Sequence, residues 1–513
     1  MTPTDATLAH APDLAPDLAP QAAAAPPAAQ PTAPPTAPPT APLRALAEMP
    51  GPRGWPLVGQ LFRVHPATLH RSIEHWCHAH GPLFRFSVVG RPLVVLCDPA
   101  RIVELLRDRP DGWRRSSRMH EIGREMGLLP GLFGSEGESW RAQRRIVMAG
   151  LDPGRVRAYG PTLGRVTERL RQRWLDAARA GATLALEPEL MRFTVDTIAG
   201  LALGSDINTL GDERAEIQQH LDRVLPALYR RSMALLPTWR WFKSPADRAL
   251  EHSVAAIHRA VAGFVADAQA RLAADPARRA LPPNLLEAMV VAAESGRQGL
   301  GEAQVAANVL TLLLAGEETT AHTLAWLLHL LHREPAQLAR ACAEVRARVG
   351  APRPLTLDDV DELPFIEACL DEAMRLKPVA PFMVVEALRP QALGGYAVPA
   401  GTPVWCVLRH ATMDAAQFPA PERFEPQRWL PGGAGAASRR LAMPFGAGPR
   451  ICPGRYLALT EMRLLLAMLL LNFDLIEVAP PGGGEAAERM RFTMVPVGLR
   501  MRLAPRPGWA LPQ

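Results

Sequence analysis

Apolar residues recur three and four positions apart through most of the middle of the chain, the spacing that lines one face of a helix. The pattern predicts helices over residues 99–107, 189–203, 212–231, 245–272, 284–293, 335–349 and 363–376. The longest candidate covers 301–333 and stops before Pro335. At 1.5 Å per residue it would span about 50 Å, so it is expected to cross the core of a large domain. A last helix covers 455–471. Residues 83–88 and 92–97 are β-branched or aromatic runs around Gly90-Arg91 and read as a hairpin. Residues 392–407 are short strands and turns, 419–433 are irregular, and 491–502 alternate as terminal strands. The expected fold class is mainly α with a small β region.

Composition changes that picture at one end. Of the 52 prolines among 513 residues, 12 fall in residues 1–42 beside 14 alanines, with no Lys or Arg. Such a segment has no apolar face to bury and is expected to be a disordered, polyproline-like tail over 1–48, followed by one domain over 49–513. It lacks the basic start and apolar core of a secretory signal. The apolar runs at 309–316 and 464–471 fall far short of the ~20 residues that span a bilayer. A cytoplasmic protein without a transmembrane anchor is expected. With 57 Lys plus Arg against 51 Asp plus Glu, the net charge of +6 does not call for a nucleic-acid partner. Six scattered cysteines without a Cys-x-x-Cys favour neither structural zinc nor a disulfide framework.

The sharpest feature is Pro444-Phe445-Gly446-Ala447-Gly448-Pro449-Arg450-Ile451-Cys452-Pro453-Gly454, running straight into a helix. Glycines allow a tight loop, and a cysteine just before a helix sits at the positive end of its dipole, which favours the thiolate. A single sulfur anion on a stiff loop suits an axial metal ligand or a nucleophile. The spacing of Phe445, Gly448, Arg450, Cys452 and Gly454 resembles the haem-binding signature of the cytochrome P-450 family. The resemblance implies haem b with the Cys452 thiolate as axial ligand to the iron, Arg450 on a propionate, and Phe445 beside the sulfur. A thiolate ligand favours cleavage of the O–O bond.

Other segments carry the same resemblance in the expected order. Trp140 and Arg144, at i and i+4 on a helix, match a propionate-binding pair. Ala315-Gly316-Glu317-Glu318-Thr319-Thr320 resembles the oxygen-activation motif of the long helix. There Ala315 and Gly316 would leave space over the iron, Thr319 would return its hydroxyl to the carbonyl of Ala315 and steady bound dioxygen, and Glu318 would relay protons. Glu372 and Arg375 look like the family's Glu-x-x-Arg pair, with Arg423 of Pro421-Glu-Arg-Phe424 completing a structural triad. In one departure, Val385 stands where the family commonly has a propionate-binding arginine.

The resemblance implies a cytochrome P-450 fold and a monooxygenase that inserts one atom of dioxygen into a hydrophobic small molecule. Its electrons would pass from NAD(P)H through a separate ferredoxin or flavodoxin and its reductase. With about sixty residues after Cys452, no fused reductase domain is expected. Arg144, Arg145, Arg439, Arg440 and Arg455 are candidates for docking an acidic partner, and a monomer is expected. The substrate pocket is expected from residues 113–133, 225–242, 308–319, 379–385 and 492–497. The rival readings are a haem-thiolate peroxygenase or isomerase, which would not need the Thr319 relay, and a non-catalytic haem-binding sensor. The cluster His75, Cys77, His78 and His80, and the histidines His322, His329 and His332, read as packing or helix-end residues rather than metal ligands.

Overall fold

In the computed structural model, residues 42–211, 216–296, 300–351, 353–433, 435 and 438–506 are described. Most of the expected tail lies outside them. Its last residues do not: Arg44–Ala45 pairs in parallel with Tyr396–Val398, so the folded body begins before residue 49.

The long helix runs without interruption from Glu302 to Arg333. It packs against Leu186–Ile198, Pro364–Leu376 and Arg455–Asn472. Leu324, Trp326, Leu327, Leu328 and Leu331 are wholly buried, each contributing roughly 1.5–3 kcal/mol of apolar burial. Two side chains fix its register through hydrogen bonds. Trp326 Nε1 donates to the Met494 carbonyl at 3.0 Å. His329 Nε2 accepts from the Ala486 amide at 3.1 Å, which leaves Nδ1 to donate to the Val478 carbonyl at 3.0 Å. His329 is therefore a neutral structural link, and burial lowers its pKa.

The helix expected over 212–231 is divided. Residues 212–215 lie outside the described set, and Glu216–Leu221 is separated from Val224–Met233 at Asp222-Arg223. Pro226 has no N–H to give the carbonyl of Asp222, and its ring crowds that carbonyl. The helix expected over 189–203 begins earlier, as Leu186–Ile198, and its last turn, Ala199–Leu203, widens before Gly204 closes it in a left-handed conformation.

Five strands form the main sheet. The hairpin Leu83–Val88 and Arg91–Leu96 is followed by Pro403–Val407, Phe382–Ala387 and the edge strand Trp113–Arg115. Alternation separates its two faces. Val94 and Leu96 join one apolar cluster with Val404 and Cys406, whereas Val95 and Cys97 join Trp76, Phe86 and Trp405 on the other. The edge strand runs antiparallel to Phe382–Ala387, with Arg115 opposite Val385. Near the C-terminus, the hairpin Glu488–Met490 and Met494–Pro496 places its tip, Arg491-Phe492-Thr493, against the long helix. No helix among the described residues is long and apolar enough to cross a membrane.

Candidate functional site

The cysteine loop is a 3₁₀ turn, Gly448–Arg450, delivering Cys452 to the start of helix Arg455–Asn472. The Cys452 amide donates back to the Phe445 carbonyl at 3.0 Å and closes the loop. Gly448 has φ +70°, and a Cβ there would lie 2.3 Å from the Leu106 carbonyl oxygen, so only glycine fits. Arg144 donates to the Ile451 carbonyl at 2.6 Å, binding the loop to helix Gly137–Gly150. The Arg455 guanidinium lies over the Phe445 ring at 5.9 Å.

Of the six cysteines, Cys452 alone is exposed. Yet desolvation raises its thiol pKa, outweighing the Gly454 and Arg455 amides and the charges of Arg144 and Arg455 that lower it. An accessible sulfur in a desolvating neighbourhood lines an interior space. The helix-start amides favour the thiolate, as expected, but burial outweighs them, and a bound metal cation is what deprotonates such a thiol.

Four guanidiniums gather near the loop. Arg450 donates to the Ser135 carbonyl at 2.7 Å, pairs with Glu136 and stacks on Trp140 at 4.5 Å. Trp140 thus supports Arg450. Arg115 lies over the Phe133 ring at 3.5 Å. Desolvation lowers the pKa of Arg109, Arg115, Arg144 and Arg450, the last to about 10. Arg109 Nε and Nη2, Arg115 Nε and Arg450 Nε are buried without a hydrogen-bond partner. Buried guanidiniums with unspent donors call for an anion rich in acceptor oxygens. The two carboxylates of haem fit that demand beside a metal-binding sulfur. The sequence reading missed Arg109 and Arg115; the adjacent pair Arg114-Arg115 at a strand edge was the available signal.

Along the buried long helix, Ala315 alone from 305 to 331 is exposed, with Ala306, Thr311, Gly316, Thr319 and Leu330 partly open. Thr311, Ala315 and Thr319, each four residues apart, share one face of the helix, and that face is open. Thr319 donates its hydroxyl to the Ala315 carbonyl at 2.7 Å, as expected. The role expected of Gly316 is corrected. A Cβ there would meet Ile198 at 3.3 Å, so the glycine lets two helices approach, and Ala315 is the residue that borders the open space. Glu318 is buried, its pKa pushed up to about 7 by desolvation, and its carboxylate accepts from the Thr493 hydroxyl at 3.2 Å.

The triad is corrected as well. Arg375 holds Glu372 through Nε and Nη2, both at 2.8 Å. The third cation is Arg428, whose Nε lies 2.9 Å from Glu372, with Trp429 Nε1 at 2.8 Å. Arg423 is exposed and gives only its backbone carbonyl to Arg375. Pro426-Gln-Arg-Trp429 repeats the pattern of Pro421-Glu-Arg-Phe424 five residues later, and burial selects the second copy.

The expected pocket segments meet. The Leu132 amide donates to Asn308 Oδ1 at 2.8 Å, Phe133 packs on Phe492 at 6.0 Å, and the Met494 amide reaches the Val379 carbonyl at 2.8 Å. Arg118 joins 113–133 to the Ser232 carbonyl at 2.8 Å. Among the described residues no three His, Cys, Asp or Glu side chains gather to hold a metal ion, the His75–His80 stretch included.

The family model for Cytochrome P450 matches residues 49–497. Cytochrome P450 78A11 of Oryza sativa is 30% identical over 466 residues, covering 84% of this chain and 81% of that protein. A self-sufficient cytochrome P450 monooxygenase, CYP505E5 of Aspergillus kawachii, is 28% identical over 477 residues, which cover 90% of this chain but 43% of that relative's length. The crystal structure of a cytochrome P450, CYP102L1, superposes with a TM-score of 0.75 at 24% identity, covering 91% of this chain and all of the other.

Proposed function

Because the chain belongs to the cytochrome P450 family, we propose that it is a haem-thiolate monooxygenase placing one atom of dioxygen into a hydrophobic small molecule. Held by Cys452, haem b would supply the iron at which dioxygen is bound, reduced and split. The remaining roles belong to the chain. Arg109, Arg115 and Arg450 orient the group through its carboxylates. Arg144 fixes the cysteine loop by its bond to the Ile451 carbonyl. Ala315 borders the space where dioxygen and substrate meet, Thr319 holds a hydroxyl there, and Glu318 stores a proton one residue away. Phe133 and Phe492 give the substrate an apolar wall.

Electrons arrive, in this reading, from a separate acidic ferredoxin or flavodoxin, itself reduced from NAD(P)H, docking on the exposed Arg145, Arg440 and Arg455. The single observation that carries the proposal is the open Cys452 sulfur beside guanidiniums with unspent donors. Reconstitution with hemin, followed by reduction under carbon monoxide, tests it. The expected result is the long-wavelength Soret band of a thiolate ligand, lost in Cys452→Ser. Turnover with NADPH and a ferredoxin system should then leave labelled oxygen from dioxygen in the product. A colourless reconstituted chain, or binding without substrate-dependent electron use, would overturn it.

A further inference from the structure

Glu318 is a costly residue for the interior. Its carboxyl is buried on the long helix and meets a hydroxyl rather than a cation, and an apolar side chain would hold the neighbouring hairpin more cheaply. That hydroxyl is not the end of the line. His322 stands four residues along the same helix, so it shares the face of Glu318. Its Nδ1 lies 2.9 Å from Thr493 Oγ1, and its Nε2 lies 3.2 Å from Glu187 Oε1. Arg491 donates to the same Glu187 oxygen at 3.2 Å. The three inner members are buried, Glu318 at 4% exposure, Thr493 at 3% and His322 at 2%, whereas the two outer side chains open to solvent, Glu187 at 25% and Arg491 at 40%.

Three elements hold the series in line. Glu187 opens helix Leu186–Ile198, Glu318 and His322 lie on the long helix, and Thr493 and Arg491 flank the hairpin tip. The tip is closed by the Arg491 amide on the Thr493 carbonyl at 3.0 Å, while Phe492 between them packs on Phe133. One tight turn thus serves the pocket with one side chain and the polar series with its neighbours. Further titratable groups face this series. Asp222, beside Arg223, is pushed up to about 6 by burial and shares a hydrogen bond with Glu317, whose pKa desolvation raises well above the usual carboxyl range.

Resting on the monooxygenase reading, we propose that Glu187, His322 and Thr493 form the route by which solvent protons reach Glu318 beside Thr319. Inserting one oxygen atom and reducing the other to water consumes two protons with the two electrons from the redox partner. Each proton enters at Glu187 Oε1 and passes to His322 Nε2. The imidazole releases its other proton from Nδ1 to Thr493 Oγ1, whose own proton moves to Glu318 Oε2. An imidazole suits the middle of such a series because it accepts at one nitrogen while releasing at the other. Glu187, His322 and Thr493 are positioning residues acting through Glu318.

The test uses the haem-loaded protein and the variants His322→Gln and Glu187→Gln, each checked for its reduced carbon-monoxide band and melting temperature. The first readout is exchange of the Glu318 carboxyl proton after mixing into heavy water, followed by its infrared band, which is assigned by its loss in Glu318→Gln. The second is the share of electrons leaving as hydrogen peroxide, with its solvent isotope effect. Both variants should slow the exchange at least tenfold, raise the peroxide share severalfold and enlarge the isotope effect, with the carbon-monoxide band retained. Should His322→Gln fail to fold, Glu187→Gln, at a part-exposed site, decides alone. Parent-like exchange and coupling in a folded variant would overturn the route and leave the monooxygenase reading standing. A parent chain without the carbon-monoxide band overturns that reading and the route with it.

Discussion

Arg115 and Val385 face each other across an antiparallel strand pair, so an arginine missing from one strand is met by one on its neighbour. Directly opposed residues point to the same side of a sheet, with Cβ atoms about 4.5–5.5 Å apart. Arg115 can therefore reach the region that a side chain at 385 would reach. Its Nε is buried without a partner, which marks a donor kept for a bound carboxylate.

Arg115→Leu should accelerate haem loss. A hydrogen bond to a charged group contributes about 1.5–3 kcal/mol, or roughly 10–150-fold in affinity. Transfer of haem to an excess of an apo-globin acceptor measures it. Val385→Arg in the Arg115→Leu background should restore most of the retention. In the haem-free protein the sign reverses: Arg115 is repelled by Arg109 and Arg450, so Arg115→Leu should raise the urea midpoint of the apo form.

The Glu372 cluster separates two arginines that the sequence alone leaves alike. Arg428→Ala leaves a buried carboxylate short of a partner and should cost about 3–5 kcal/mol. Arg423→Ala, at an exposed site, should stay within about 0.5 kcal/mol. Urea unfolding of the two variants checks this, and equal losses would return Arg423 to the triad.

That pair shows what the sequence made legible. Helical periodicity located the long helix to within a residue, and the cysteine loop was complete in its spacing, because both are local patterns. What escaped depended on burial or on distant partners. Arg423 and Arg428 carry the same local pattern and differ only in which is inside. Gly316 was legible as a small residue but not as one facing Ile198. Arg109 and Arg115 acquire meaning only when the sheet folds beside the cysteine loop, and Pro226 divides a helix whose apolar spacing continues across it.

Gly316 and Ala315 should respond in opposite ways. Gly316→Ala pushes a methyl against Ile198 and should lower stability by about 1–3 kcal/mol, with partial recovery in Gly316→Ala/Ile198→Val. Ala315→Val borders the open space and should leave the melting temperature nearly unchanged while altering which apolar ligands shift the Soret band. Calorimetry and ligand titration distinguish them.

Glu461 is wholly buried on helix Arg455–Asn472, and desolvation pushes its pKa up to about 8. The folded state therefore holds its proton after the unfolded state has released it. The stability this contributes is full below the unfolded value near 4.5 and is lost as pH rises through about 8. Glu461→Gln should be close to neutral at pH 5 and stabilising at pH 9, by an amount on the order of a few kcal/mol. Glu488 provides the contrast: contacts from His70, Arg409 and Lys377 hold its pKa far below the usual range. Its contribution is present above the unfolded value and is lost as acid titrates the folded carboxylate. A pH series of urea midpoints resolves both slopes.

Arg455 offers the clearest test of electron delivery because its two effects oppose each other. It is the first residue of helix Arg455–Asn472, where a cation is disfavoured by the dipole and a carboxylate would gain about 0.3–1 kcal/mol. A cation kept there at a cost to the helix fits the proposed docking of an acidic electron donor. Arg455→Glu should therefore stabilise the fold slightly while slowing reduction by about tenfold or more at low salt. Because Arg455 also lowers the Cys452 thiol pKa, the Soret maximum must be read alongside the rate. Arg145→Glu and Arg440→Glu, at exposed sites within helix Gly137–Gly150 and the 3₁₀ turn Arg439–Leu441, carry the same charge change away from the sulfur. All three reductions should converge on the parent rate as salt shortens the screening length from about 10 Å at 0.1 M toward 3 Å at 1 M. Stopped-flow reduction by a ferredoxin across that range decides the matter: parent-like rates in all three variants at low salt would move the docking face elsewhere on the molecule.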